Sequence, residues 1–283
     1  MSKLMKIIHH GIGDIVITTS FPENYYNETG KKIILCDKKA EWAFKYNPYV
    51  EIRDDVEGLE EIPMLSDTRV HELVTKYIQN RNSFTISSQA EWISFVAGLD
   101  IDNIILRHPR LYKYEDINPI EKTITVHTTG SNRAIVGESQ IRDQLGEDSE
   151  RIMSDEVIET ILNNYKDWNI VQIGSVEDKP IGGKSIDLRS ALSFDELILM
   201  IASSQRFIGV NSGLMHIANC FPKVEKRIML MEFPDSTLGK GFNNIPFRGG
   251  EIRNFLFSWL DPSNSFYNKY TKDIGTTFSY LKL

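Results

Sequence analysis

The sequence predicts an α/β protein built as two domains, and three observations carry this. Short β-prone apolar runs alternate with segments of helical period along much of the 283 residues. Two such series are separated by a polar, proline-containing stretch at 107–122, which loses hydrophobic periodicity and reads as an interdomain linker. Glycine or small polar residues follow several of the strand-like runs, where a chain turns from strand into helix. At this length two modest cores are expected, and the boundary falls between a domain at 1–115 and a domain at 116–283.

The first series opens with a strand-like run at 4–9 that feeds Gly11-Ile12-Gly13-Asp14 and a helix start at Ile15-Val16-Ile17. A turn at Asn27-Glu28-Thr29-Gly30 precedes a second strand at 32–36. Residues 38–46 read as helix and 49–52 as a short strand. Val70, Leu73, Val74, Tyr77 and Ile78 form one apolar helix face, and a further helix at 87–97 is stopped by Gly98 and the polar Asp100-Ile101-Asp102-Asn103. The second series starts with a strand at 123–127. A charged surface loop or irregular helix follows at 137–151, then a helix marked by Val157, Ile158, Ile161, Leu162 and Tyr165, and a buried strand at 169–173. Phe194, Leu197, Ile198 and Ile201 mark another helix. Strands at 206–210 and 227–231 flank a helix at 212–219.

Composition narrows the class. Hydrophobic residues at 41% and charged residues at 25% are ordinary for a packed globular chain. The net charge of −7 argues against a surface coated in phosphate-binding cations. No run approaches the roughly 18 apolar residues of a membrane span, and the N-terminus lacks a small-residue cleavage site, so a cytoplasmic protein without a targeting segment is expected. Cys36 and Cys220 are too few and too far apart for a disulfide framework, and buried free thiols are expected.

Four strand ends carry residues suited to chemistry. Gly11 and Gly13 lie where a ligand can approach backbone N–H groups, or simply form a tight turn; Val16 stands where a full dinucleotide fingerprint needs glycine. Asp14 is either a helix-terminal carboxylate or a base. In Asn211-Ser212-Gly213-Leu214-Met215-His216, a strand is followed at once by Ser212 and Gly213. They suit a diphosphate or an ordinary serine cap, and His216 is a ligand or a core histidine. Gly174, Ser175 and Glu177 end a third strand, as a nucleoside platform or a solvated turn. Thr128, Thr129, Ser131 and Arg133 end the fourth, where hydroxyls and a cation suit phosphate or serve as ordinary loop residues. Asp100 and Asp102 imitate a metal-holding carboxylate pair, but their place after a helix favours a helix stop. No metal site is expected.

Together these elements resemble glycosyltransferase family nine, the heptosyltransferase-like enzymes that transfer sugars from nucleotide-diphosphate donors. Val171-Gln172-Ile173-Gly174-Ser175 is similar to the family's donor-binding strand and loop. Ile186-Asp187-Leu188-Arg189 with Leu192-Ser193-Phe194-Asp195-Glu196-Leu197 resembles a second motif, and 207–218 the signature D-[ST]-G-x-x-H-x-A. Gly11-Ile12-Gly13-Asp14, with Pro22, resembles the opening G-x-G-D. The resemblance implies a GT-B fold, two Rossmann-like domains with a cleft between them. It also implies a metal-independent inverting transfer with no cofactor beyond the nucleotide-sugar donor, and a glycan as acceptor. Asp14 would be the base, Arg133 with Ser212 and Gly213 would hold the departing diphosphate, and Gly174, Glu177 and Leu188 would meet the nucleoside.

The sequence departs from that pattern at Asn211, where the family has Asp, and at Arg133, where it has Lys without the following Trp. The chain is also short for the family. Asn211 is the residue that favours a catalytically inactive sugar-nucleotide binder. Arg107, Arg110 and Lys113 are those that favour DNA as the acceptor, and the acidic balance ranks DNA below a glycan.

Overall fold

The computed structural model describes residues 2–7, 11–62, 89–100, 109–130, 153, 155–210 and 212–229. These divide into two compact units, the first within Met1–Glu115 and the second within Asp116–Thr237. Outside the described residues lie the helix expected at 70–78, the charged loop at 137–151, and His9, His10, Asp102 and Arg107.

In the first unit, β1 (Lys3–Met5) leads to α1 (Ile12–Thr18) and α2 (Phe21–Thr29), then β2 (Ile33–Leu35), α3 (Glu41–Phe44), β3 (Val50–Ile52), β4 (Glu60–Glu61) and α4 (Gln89–Val96). The four strands pair in parallel in the order β3-β2-β1-β4. Ile33, Ile34 and Leu35 are all buried, as the central strands of a sheet covered on both faces require. One expectation needs correction, and one strand was not expected. Asn27, Glu28 and Thr29 are the last turn of α2 rather than a turn before β2, because the left-handed residue that ends the helix is Gly30, at φ 67°. The two-residue β4 is too short and too acidic to show an apolar pattern in sequence.

The second unit holds β5 (Ile120–His127), α5 (Asp155–Asn164), β6 (Asn169–Gln172), β7 (Ile186–Asp187), α6 (Phe194–Ala202), β8 (Ser204–Val210), α7 (Gly213–Asn219) and β9 (Glu225–Met229). Its five strands are parallel in the order β7-β6-β5-β8-β9. The strand β5 begins three residues earlier than hydrophobicity indicates, inside the stretch read as linker. Ile120, Glu121 and Lys122 are exposed, and the register with β8 slips between Ile120 and Ile124, so only the part from Thr123 onward is buried. Ile124, Val126, Ile170, Ile208 and Val210 supply the sheet side of a core whose helix side is Val157, Ile158 and Ile161 of α5. The helix α6 opens with a reciprocal cap: the Ser193 hydroxyl accepts from the Glu196 N–H while the Glu196 carboxylate accepts from the Ser193 N–H. Cys220 is buried, but Cys36 is only half-buried, since it sits just past the end of β2.

Both sheets have the doubly wound strand order in which the chain runs outward to one edge and then returns to the far side of the first strand. The fold class expected from the alternation is therefore the fold observed. Ile161 is fully buried at the centre of the second core. Ile161→Ala is expected to lower unfolding free energy by about 2–5 kcal/mol, read as a reduced denaturant midpoint with little change in slope. A loss under about 0.5 kcal/mol would show that α5 does not pack as described.

Candidate functional site

In a doubly wound sheet, ligands bind beyond the carboxyl ends of the strands where the strand order reverses. In the second unit that point lies between β5 and β8, the pair in which His127 is registered opposite Gly209. The next residues along each strand are Thr128 and Thr129 on one side and Ser212 on the other, with the loop after β6 alongside.

This edge is built around His127. Its Nε2 lies 3.3 Å from Asp178 Oδ2, its Nδ1 lies 3.0 Å from Ser212 Oγ, and the ring is buried. Asp178 is buried too, and its Oδ2 also accepts from the Ser175 N–H at 2.9 Å. Gly174 clears the space for the pair, while Gly209 makes room for the Phe207 ring. A Cβ on Gly174 would fall 2.0 Å from Asp178 Oδ2 and 2.9 Å from His127 Cδ2, and Gly174 has φ +126°, a conformation that side chains disfavour. A Cβ on Gly209 would fall 2.7 Å from the Phe207 ring and 3.5 Å from His127 Cβ.

Ser212 occupies the N-cap position of α7 but makes no capping hydrogen bond. Its hydroxyl is turned instead to His127, which gives up a cap worth about 1 kcal/mol. Gly213 and Leu214 form the first turn, and His216, one turn in, is buried.

The loops beside this cluster are braced from below. The Thr128 hydroxyl donates to the Lys179 carbonyl at 2.6 Å, and the Thr129 hydroxyl accepts from the Lys179 N–H at 2.9 Å, so both threonines anchor the loop after β6. The buried Gln172 amide donates to the same carbonyl, and its oxygen accepts from the Ile181 N–H. The Arg189 guanidinium makes two bonds to Asp187 and also donates to the Val176 and Asp178 carbonyls. The Arg189 hydrogen bond, with the guanidinium charge, holds the Asp187 carboxyl at about 2. Leu188 is half-buried beside it and donates its N–H to the Gln172 carbonyl. Ser175 and Glu177 are exposed at the loop crest.

Gly11 and Asp14 belong to the first unit. Gly11 caps α1 and Asp14 is three residues in, with Oδ2 2.8 Å from where a Cβ on Gly11 would sit, so glycine lets this carboxylate fold back over the helix start. Ile12, Gly13 and Asp14 form the helix's first turn rather than a separate tight turn. Asp100, at the end of α4, donates its N–H to Glu28. Among the described residues no group of three or more His, Cys, Asp or Glu side chains could hold a metal ion. No helix among them is long and apolar enough to cross a membrane. Ser131, Arg133 and Asn211 lie outside the described residues.

The structure thus gathers Thr128, Thr129, Gly174, Ser175 and Ser212 at one edge. The residues that sequence reasoning passed over are His127 and Asp178. His127 ends a buried strand with an ionisable side chain, which is a readable signal. Asp178 showed only as a loop carboxylate three residues after Ser175, a spacing that closes a turn.

Two doubly wound parallel sheets, the second with a polar cluster at its switch point, define the class of protein. Comparison with known proteins gives the particular fold. No family model and no curated protein matches the chain. Among solved structures, a glycosyl transferase of family 9 from Veillonella parvula DSM 2008 is similar at a TM-score of 0.50 and 13% identity, covering 87% of this chain and 90% of that one. The iron-containing dodecameric glycosyltransferase TibC from enterotoxigenic E. coli H10407 is similar at a TM-score of 0.50 and 11% identity, covering 80% of this chain and 56% of that one. The fold is the GT-B fold of these glycosyltransferases.

Gly174→Ala is expected to destabilise the second unit by about 1–3 kcal/mol through backbone strain and to separate Asp178 from His127. Chemical denaturation and the His127 imidazole resonances read these two effects. An unchanged midpoint with unchanged resonances would contradict the packing described.

Proposed function

We propose that this chain is a glycosyltransferase that moves a sugar from a nucleotide-diphosphate donor to a glycan acceptor, with inversion and without a metal ion. The observation that supports it most is the polar cluster at the switch point of the second sheet, in a chain with the fold of family-nine glycosyltransferases. On this reading the donor diphosphate meets Ser212, Gly213 and Leu214, with Asn211 and His216 beside them. Thr128, Thr129, Ser131 and Arg133 form the second wall, Gly174, Ser175 and Glu177 lie under the nucleoside, and Leu188 packs near the base.

The chemistry follows from a carboxylate and a set of donors. The Asp14 carboxylate takes the proton of the acceptor hydroxyl as that oxygen attacks the anomeric carbon. The bond from the anomeric carbon to the diphosphate oxygen breaks, and its electron pair leaves with the diphosphate. Arg133 and the Ser212 hydroxyl then balance the new charge. Gly11 leaves room for the Asp14 carboxylate, and the acceptor meets it there with Gly13 alongside.

Asp14→Asn keeps the shape and removes the proton acceptor, so turnover is expected to fall about 10²- to 10⁴-fold while the donor dissociation constant stays within a few-fold. A purely structural first-turn carboxylate predicts the reverse: a loss of roughly 0.3–1 kcal/mol of stability with near-normal single-turnover rate. That second pattern would remove Asp14 from the mechanism. Turnover in excess EDTA is expected to equal turnover without it, and a strict requirement for Mg²⁺ or Mn²⁺ would contradict a metal-independent transfer.

A further inference from the structure

The side chains of Ser212, His127 and Asp178 form a continuous chain that crosses the switch point, with 3.0 Å from Ser212 Oγ to His127 Nδ1 and 3.3 Å from His127 Nε2 to Asp178 Oδ2. Nothing in the proposed transfer step uses His127 or Asp178, yet the structure spends much to keep them there. Gly174, at positive φ, clears room for them. Ser212 gives up its helix cap to face the ring, and Asp178 is buried where only hydrogen bonding makes a carboxylate tolerable.

A carboxylate 3.3 Å from Nε2 favours the tautomer with its proton there, and Nδ1 is the nitrogen that faces Ser212. Neutral His127 must then accept the Ser212 O–H at Nδ1, which leaves Ser212 only lone pairs to offer a third group. Protonated His127 donates from Nδ1 instead. The Ser212 oxygen becomes the acceptor of that bond and its own proton is released to a neighbour. Only the second arrangement suits an anion.

We propose that His127 and Asp178 are positioning residues for the donor diphosphate: protonated His127, held by Asp178, makes the Ser212 hydroxyl a hydrogen-bond donor to a phosphate oxygen. This rests on the reading of Ser212 as a diphosphate contact. The bound anion and Asp178 together stabilise the imidazolium, so diphosphate binding and protonation of His127 favour one another. Among the described residues the charged groups around the pair are few. From the loop after β6 come Asp178 itself, Lys179, which is ion-paired with Asp155 of α5, and the exposed Glu177. From beyond β7 comes Arg189, bound to Asp187 and to the Asp178 carbonyl. From β8 and α7 the pair meets Gly209 and Ser212, with the buried His216 one turn further on.

Nitrogen-15 NMR of the unliganded protein tests the first half: neutral His127 is expected to carry its proton on Nε2, and a proton on Nδ1 would overturn the proposal. Calorimetric binding of ADP, UDP, GDP and CDP between pH 5.5 and 8.5 tests the second. Wild-type affinity for the diphosphate that binds is expected to fall roughly 10- to 100-fold from the acidic to the alkaline end of that range. His127→Asn places an amide N–H near the position of Nδ1 and should hold affinity while flattening that dependence. Ser212→Ala should bind weakly at every pH, and thermal unfolding confirms that both variants fold. The diphosphate's own titration is common to all three proteins and cancels in the comparison. A wild-type slope preserved in His127→Asn would sink the positioning role alone. Failure of the wild type to bind any of the four at any pH would sink the diphosphate reading on which it rests.

Discussion

The constraint on which the second unit depends is the placement of β5 between β6 and β8. A parallel strand in the middle of a sheet is buried on both faces, and this one becomes so only from Thr123 onward. Pairing on both sides fixes where the strand ends, and its last residue is His127, opposite Gly209. An imidazole is thereby delivered to the point where the strand order reverses. The edge accommodates it with Gly174 on one flank, a buried carboxylate at one nitrogen and a hydroxyl at the other.

The hydroxyl groups divide their work. Thr128 and Thr129, which sequence alone suggested as phosphate contacts, hold the Lys179 backbone and so fix the loop that carries Asp178. Arg189 grips the same loop from the other side through carbonyls of Val176 and Asp178. The loop is thus held by side chains from three strand ends. Such preorganisation is what lets donors act on developing charge without rearranging first.

Much of the fold was legible because burial on two faces leaves strong traces. The runs Ile33-Ile34-Leu35 and Thr123-Ile124-Thr125-Val126 announce strands, and Val157, Ile158 and Ile161 announce a helix face. What was illegible has physical causes. Glu60-Glu61 and Ile186-Asp187 are edge strands two residues long, exposed or nearly so, and pair through backbone alone. The frame 120–122 joins its sheet with exposed side chains. At the site, strand-end glycines and hydroxyls could be found by position, but the partnership of His127 with Asp178 joins residues 51 apart in sequence and follows only from the way β5 and β6 pair.

The central claim is that the edge formed by the ends of β5, β6 and β8 receives a nucleotide-sugar donor. Hydrogen–deuterium exchange with and without a panel of nucleotide-diphosphate sugars tests it most directly, because it needs no knowledge of the acceptor. The account predicts that one donor slows exchange in peptides spanning 128–130, 174–178 and 212–216. Protection confined to other segments, or none with any nucleotide sugar, would contradict it.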